Sequence, residues 1–147
     1  MNIIRATIHS LEDLVPLFNA YRVFYQQPSD EEGVAAFLRD RISHSESVIL
    51  IAYEGEKAAG FVQLYPTFTS IGMQKAYILN DLFVKKEFRR RGTGKALLDE
   101  AFQFGVNESI RFIILETAPE NHAAKALYES MGMQTYNEYN RYIKIFK

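Results

Sequence analysis

At 147 residues, 48% hydrophobic and 24% charged with a net charge of −1, the chain has the size and composition of one domain, residues 1–147, with a substantial core, and it is too apolar for wholesale disorder. No apolar run reaches the roughly 20 residues of a membrane-spanning helix, and Met1–Arg5 lacks the charged and apolar halves of a signal peptide; no membrane association is expected. The absence of cysteine excludes disulfides, thiolate metal sites and cysteine nucleophiles, and it is compatible with a reducing cytoplasm, the expected location.

Ile3–Thr7 reads as a first strand. Leu11, Leu14, Val15, Leu17, Phe18, Tyr21 and Phe24 fall at helical spacing, with Ser10 as a candidate N-cap. A second helix is expected over Ser29–Ile42, with Asp30, Glu31 and Glu32 in the first turn, where the helix dipole favours acids. Ser47–Tyr53, a turn at Glu54–Lys57 and a return strand Ala58–Phe68 form a hairpin, and Gln74–Val84 is a further strand. Leu97, Leu98, Ala101, Phe102 and Gly105 mark an amphipathic helix. Arg111–Glu116 reads as a buried strand, Asn121–Met131 as a helix and Arg141–Phe146 as a closing strand. The order β-α-α-β-β-β-α-β-α-β predicts an α/β (α+β) fold: a mixed, mostly antiparallel sheet of about seven strands with helices on both faces. The strand–helix–strand step after Val84 should be a right-handed crossover, and ligands of such sheets bind beside the strand ends.

The most informative segment follows that strand. Lys85–Lys95 carries six basic residues against one acid, and it includes Arg89-Arg90-Arg91-Gly92-Thr93-Gly94-Lys95. Two glycines at a helix start let the backbone approach a ligand closely. The first N–H groups of a helix lack intrahelical partners, and with the dipole they make a phosphate site; arginines add charge-assisted contacts. The segment is not a Walker A loop, because Arg89 stands where the first glycine belongs and Ala96 lacks the hydroxyl. It is not a dinucleotide fingerprint either, since Leu97 replaces the third glycine. A basic tract this short suits a local anion site and not a nucleic-acid track.

The pattern Arg89-x-x-Gly92-x-Gly94 resembles the coenzyme A loop of the GNAT superfamily of N-acetyltransferases. A second element, Asn121-x-x-Ala124-x-x-Leu127-Tyr128-x-x-x-Gly132-Met133, resembles the helix that lies beside pantetheine in that family, with Met133 where the family often has Phe or Tyr. The stretches Tyr65–Phe68 and Ile78–Val84 are similar to a subgroup that contains fungal histone and polyamine acetyltransferases and their bacterial relatives. The resemblance implies acetyl-CoA as donor and a primary amine as acceptor: a polyamine, another small amine, or a peptide lysine or N-terminus. The implied coenzyme contacts are Leu82, Phe83, Val84, Arg89, Arg90, Arg91, Gly92, Thr93, Gly94, Lys95, Asn121, Ala124, Lys125 and Tyr128.

Acetyl transfer needs a neutral amine, donors for the oxyanion and a proton for the leaving thiolate. The Val84 N–H is a candidate oxyanion donor. The resemblance gives Tyr128 the proton for the sulfur, and Asn121 would position pantetheine or a water. Asp81 or Glu116 could take the amine proton, although positioning alone can supply much of the rate. Each residue also has a structural role open to it: Tyr128 in the core, Asn121 as an N-cap, Asp81 and Glu116 as ion-pair partners. Of the aromatic stripe on the first helix, Tyr21 and Tyr25 are the candidate pocket residues. His9, His44 and His122 are too dispersed to suggest a metal site. The alternative to an enzyme is a module that binds coenzyme A or acyl-CoA without transfer. The closing strand, at a sheet edge that must be paired or covered, makes a homodimer the expected assembly.

Overall fold

A computed structural model describes residues 1–147. The chain forms two compact units, Met1–Glu116 and Thr117–Lys147.

The first unit is built on a five-stranded sheet: β1 (Asn2–Arg5), β2 (Val48–Glu54), β3 (Lys57–Thr69), β4 (Gln74–Val84) and β5 (Ile113–Ile114), paired in that order. The first four strands are antiparallel neighbours, and β5 runs parallel to β4. Before β2 come α1 (Leu11–Phe24) and α2 (Glu31–Ser43), and α3 (Thr93–Asn107) links β4 to β5. Strand alternation assigns the faces. Ile49, Ile51, Phe61 and Phe83 form one core with Leu14, Leu17 and Phe18 of α1 and Val34 and Leu38 of α2. Buried Leu97, Leu98 and Ala101 mark the inner side of α3, which touches β2, β3 and β4.

Local chemistry explains the element ends. Asp30 caps α2 by accepting the Gly33 N–H at 2.9 Å, so it precedes the helix while Glu31 and Glu32 occupy its first turn. Asn19 of α1 ties the two helices together: its Oδ1 accepts the Asp30 N–H at 2.9 Å and its amide donates to the Ser29 hydroxyl at 3.0 Å. Ser10 stands at the N-cap position of α1, as the sequence suggested, but its side chain makes no capping bond to that helix. Its hydroxyl instead accepts the Thr7 N–H at 3.0 Å, within a capping box around the short helical turn Ile8–Ser10. Gly60 sits opposite Val84, and a Cβ added there would lie 2.7 Å from the Phe83 carbonyl oxygen. Gly60→Ala is therefore expected to push β4 off β3 at its C-terminal end and to cost about 1–3 kcal/mol, read as a lower denaturant midpoint.

The second unit contains α4 (His122–Ser130), with Asn121 as its N-cap: Oδ1 accepts the Ala124 N–H at 3.2 Å. The helix ends at Met131, and Gly132 follows with φ +87.

Two strand expectations are corrected. Arg111–Glu116 shortens to Ile113–Ile114, because only Tyr77 and Ile78 of β4 pair with it. Arg141–Phe146 forms no strand, which leaves five strands in place of about seven. Its aromatic and β-branched residues suit a strand, but a strand needs a neighbour for its backbone groups; Tyr142, Ile143, Ile145 and Phe146 are all exposed. No helix is long and apolar enough to cross a membrane.

Candidate active site

Two features of the first unit carry the predicted chemistry. The first is the end of β4 and the loop into α3. The Lys85 N–H donates to the Ala59 carbonyl at 2.8 Å, which makes that pair the hydrogen-bonded type. By the alternation of an antiparallel ladder, Leu82 and Val84 then direct their N–H and C=O away from β3. β5 pairs no farther along β4 than Ile78, so no β5 backbone meets these groups. The Val84 carbonyl accepts from Arg89 Nε at 2.8 Å, and the Arg89 guanidinium lies 5.4 Å from the Phe24 ring centroid and 5.7 Å from that of Phe83. Arg89 thus fastens the loop to the strand end, while Arg91 stacks at 5.7 Å over Phe88.

After a helical turn at Lys86–Phe88, the backbone turns left-handed at Arg90 (φ 62) and Gly92 (φ 80), and α3 opens at Thr93. The first α3 bond runs from the Ala96 N–H to the Gly92 carbonyl at 2.9 Å. The N–H groups of Thr93, Gly94 and Lys95 therefore point out of the helix start. Open space surrounds the Gly92 Cβ position. The Thr93 hydroxyl is buried without a hydrogen-bond partner, which is costly unless a ligand answers it. An anionic diphosphate fits this donor set.

The second feature is a cavity of about 410 Å³ between α1, α2, β3 and β4, with Phe18, Phe37 and Tyr65 among its walls and Arg22, Asp30 and Asp81 as its charges. Asp81 is only 5% exposed. Its Oδ1 accepts from the Tyr21 hydroxyl at 2.7 Å and the Asn80 amide at 3.1 Å, and its Oδ2 accepts from Gln63 Nε2 at 2.7 Å. A carboxylate offers roughly four acceptor positions, so about one remains, on Oδ2. A break in register makes this cluster possible. Gln63 pairs with Asp81 but Leu64 with Leu79, so Asn80 is an extra residue that bulges from β4 and lines the cavity. Burial first, and then the Asp81 charge, raises the Tyr21 phenol well above its usual range; the same causes push Tyr65 up to about 12. Both phenols stay protonated and able to donate at neutral pH.

Among the predicted site residues, the structure joins Leu82, Phe83, Val84 and Arg89 at one strand end and places Gly92, Thr93, Gly94 and Lys95 on the helix start that follows. Asp81 is brought to Tyr21, while Tyr25 meets Tyr21 ring to ring at 5.1 Å. Glu116 stands two residues beyond β5, exposed and outside the cavity lining. In the second unit, Ala124, Lys125 and Tyr128 all lie on α4; the Lys125 ammonium donates to the Pro119 carbonyl at 3.4 Å. Gln63, Asn80, Arg22 and Phe37 escaped the sequence reading. A glutamine inside the apolar run of β3 was the one visible signal among them.

The sequence model described as the Acetyltransferase (GNAT) family matches residues 14–133. The chain is 45% identical over 134 residues to the uncharacterized N-acetyltransferase YhfO of Bacillus subtilis (strain 168), covering 91% of this chain and 90% of that protein. It is 38% identical to a probable acetyltransferase of Haemophilus influenzae, again covering 91% and 90%. A crystal structure of a probable acetyltransferase superposes with a TM-score of 0.95 at 36% identity, over 100% of this chain and 99% of that one. The phosphate-type helix start beside an open strand end is thus carried on a sequence and a fold that agree with each other, and the chain belongs to the GNAT family of acetyltransferases.

Proposed function

We propose that the protein transfers the acetyl group of acetyl-CoA to a primary amine by direct attack in a ternary complex. The observation that carries this reading is the α3 start, where three outward N–H groups stand beyond Gly92. Thr93, Gly94 and Lys95 would hold the coenzyme's pyrophosphate, with Arg90 and Arg91 adding charge. Leu82 and Val84 would pair with its pantetheine amides along the open edge of β4, and the Val84 N–H would meet the oxyanion. The family match spans both compact units, which supports reading residues 1–147 as one catalytic domain.

In the reaction the amine nitrogen bonds to the acetyl carbon, the C–S bond breaks, the amine gives up a proton and the thiolate gains one. Asp81, with its remaining acceptor position, takes the amine proton; Glu116 is the other carboxylate proposed for this step. On the family motif, Tyr128 gives the proton to sulfur, and Asn121 and Lys125 serve the coenzyme from α4. Tyr128→Phe is expected to lower kcat by about a hundredfold with coenzyme binding retained, as measured by free-thiol release. A panel of amines with acetyl-CoA and the same readout tests the whole reading. If coenzyme A protects the fold against heat and no amine releases thiol, amine acetylation is excluded.

The exposed apolar side chains of Tyr142, Ile143, Ile145 and Phe146 support a homodimer paired through this segment. Sedimentation is expected to show a dimer at micromolar concentration, and replacing Ile143 and Ile145 with lysine to shift it toward monomer.

A further inference from the structure

The charges around the cavity do not cancel. Arg22 and Asp30 both line it, yet no carboxylate stands within ion-pair distance of Arg22; the ion pairs of the fold are elsewhere, Met1 with Glu54 and Arg41 with Glu46. One guanidinium nitrogen of Arg22, Nη1, donates to the Pro28 carbonyl at 3.2 Å. That bond anchors the side chain where the end of α1 meets the lead into α2 and leaves most of its five donors free. Asp30 uses Oδ1 to cap Gly33, and its Oδ2 is uncommitted. Asp81 lies at the sheet, buried and with one acceptor position left. The cavity is therefore polarised: a carboxylate on the sheet, a cation at the end of α1 and a second carboxylate at the start of α2, with Phe18, Phe37 and Tyr65 also in its lining.

We propose that this cavity is the acceptor seat, and that it selects a primary amine whose far end carries a carboxylate, the chemistry of a basic amino acid. This inference rests on the acetyl-transfer reading for the role of the amine. The reacting amine meets Asp81, the aliphatic chain lies against the three aromatic rings, and the carboxylate pairs with the guanidinium of Arg22, a fork suited to it. An ammonium next to that carboxylate is matched by Asp30. A diamine of the same length still offers its second ammonium to Asp30 but has no carboxylate for Arg22, so it loses that charge-assisted contact and leaves the guanidinium uncompensated beside a cation.

Lysine and cadaverine, its decarboxylated counterpart, are the matched probes. Their equilibrium binding is measured by calorimetry on the full chain saturated with coenzyme A, and their kcat/KM by thiol release with acetyl-CoA. Lysine is expected to bind at least about tenfold more tightly than cadaverine, the worth of one charge-assisted contact, with the same order in kcat/KM. Arg22→Gln should reduce the binding ratio below about threefold, while Arg22→Lys, which keeps the charge, retains part of it. A wild-type preference for cadaverine, binding of neither probe, or a ratio untouched by Arg22→Gln overturns the proposal. If lysine binds with the Arg22-dependent preference but neither probe releases thiol, the seat stands and the acetyl-transfer reading fails.

Discussion

Replacing Asp81 with Asn is expected to reduce kcat/KM for an amine acceptor about a thousandfold while leaving the fold nearly intact. The loss in activity has two parts. A hydrogen bond to a charged partner is worth about 1.5–3 kcal/mol, and acceptance of the amine proton contributes at least about a hundredfold. The fold survives because the cluster can be rewired. Gln63 is fully buried and its Oε1 lacks a partner, while its Nε2 donates to Asp81. An Asn amide at position 81 could donate to Oε1 once the Gln63 amide turns over, and the Tyr21 hydroxyl still finds the Asn carbonyl. One orphaned polar atom is exchanged for another, so the expected stability cost is about 1 kcal/mol. A second readout is independent of turnover. Asp81 is among the causes that raise the Tyr21 and Tyr65 phenols. A phenol whose value is raised by folding stabilises the native state fully below its unfolded value of 10.0 and loses that contribution as pH climbs through the folded value. Asp81→Asn should therefore bring phenol ionisation to lower pH and narrow this alkaline dependence. Full activity with the phenol titration shifted would leave Asp81 a structural carboxylate only.

The parts of this site that were legible in the sequence are those set by local rules. The β-rich runs of β2 and β3 around their turn, the helical spacing of Leu11, Leu14 and Phe18, and the glycines before Leu97 each report on a few neighbouring residues. The structure adds to the loop its φ values, the orphaned Thr93 hydroxyl and the arginine contacts, chiefly the Arg89 bond to the Val84 carbonyl. Contacts between distant segments were not legible. Tyr21 and Asp81 are 60 positions apart, and nothing near either names the other. The Asn80 bulge depends on how two strands register, a property of the pair and not of either strand alone. Asp30 reads as a first-turn helix acid and Arg22 draws no reading, because the cavity that gives their charges meaning exists only after α1 and α2 pack on the sheet. Arg141–Phe146 shows the opposite failure: residue types that favour a strand are present, but no strand of the sheet pairs with them.

Gly92→Val is expected to weaken coenzyme A binding by about a hundredfold or more, with a much smaller effect on the fold. Gly92 holds φ 80 and ψ 9, and nothing lies within 4 Å of where its Cβ would sit. The penalty therefore comes from the backbone and not from a clash. A left-handed conformation costs an L-residue about 1–2 kcal/mol, with β-branched residues the worst placed to bear it. Two outcomes are open to the chain. If it keeps the conformation, thermal stability falls by roughly 2–8 °C and the donors stay in place. If it relaxes toward negative φ, the first turn of α3 rotates, and the N–H groups of Thr93, Gly94 and Lys95 leave their common direction. Losing two charge-assisted bonds at about 1.5–3 kcal/mol each then accounts for the hundredfold. Gly92→Asn separates conformation from loss of the glycine itself, because asparagine tolerates the left-handed region. It should retain coenzyme A affinity within roughly tenfold of wild type while Gly92→Val does not. Equal affinities for wild type and both variants, measured by calorimetry with coenzyme A alone, in a Gly92→Val protein that does not show the stability loss of a retained left-handed residue, would place the pyrophosphate somewhere other than the start of α3.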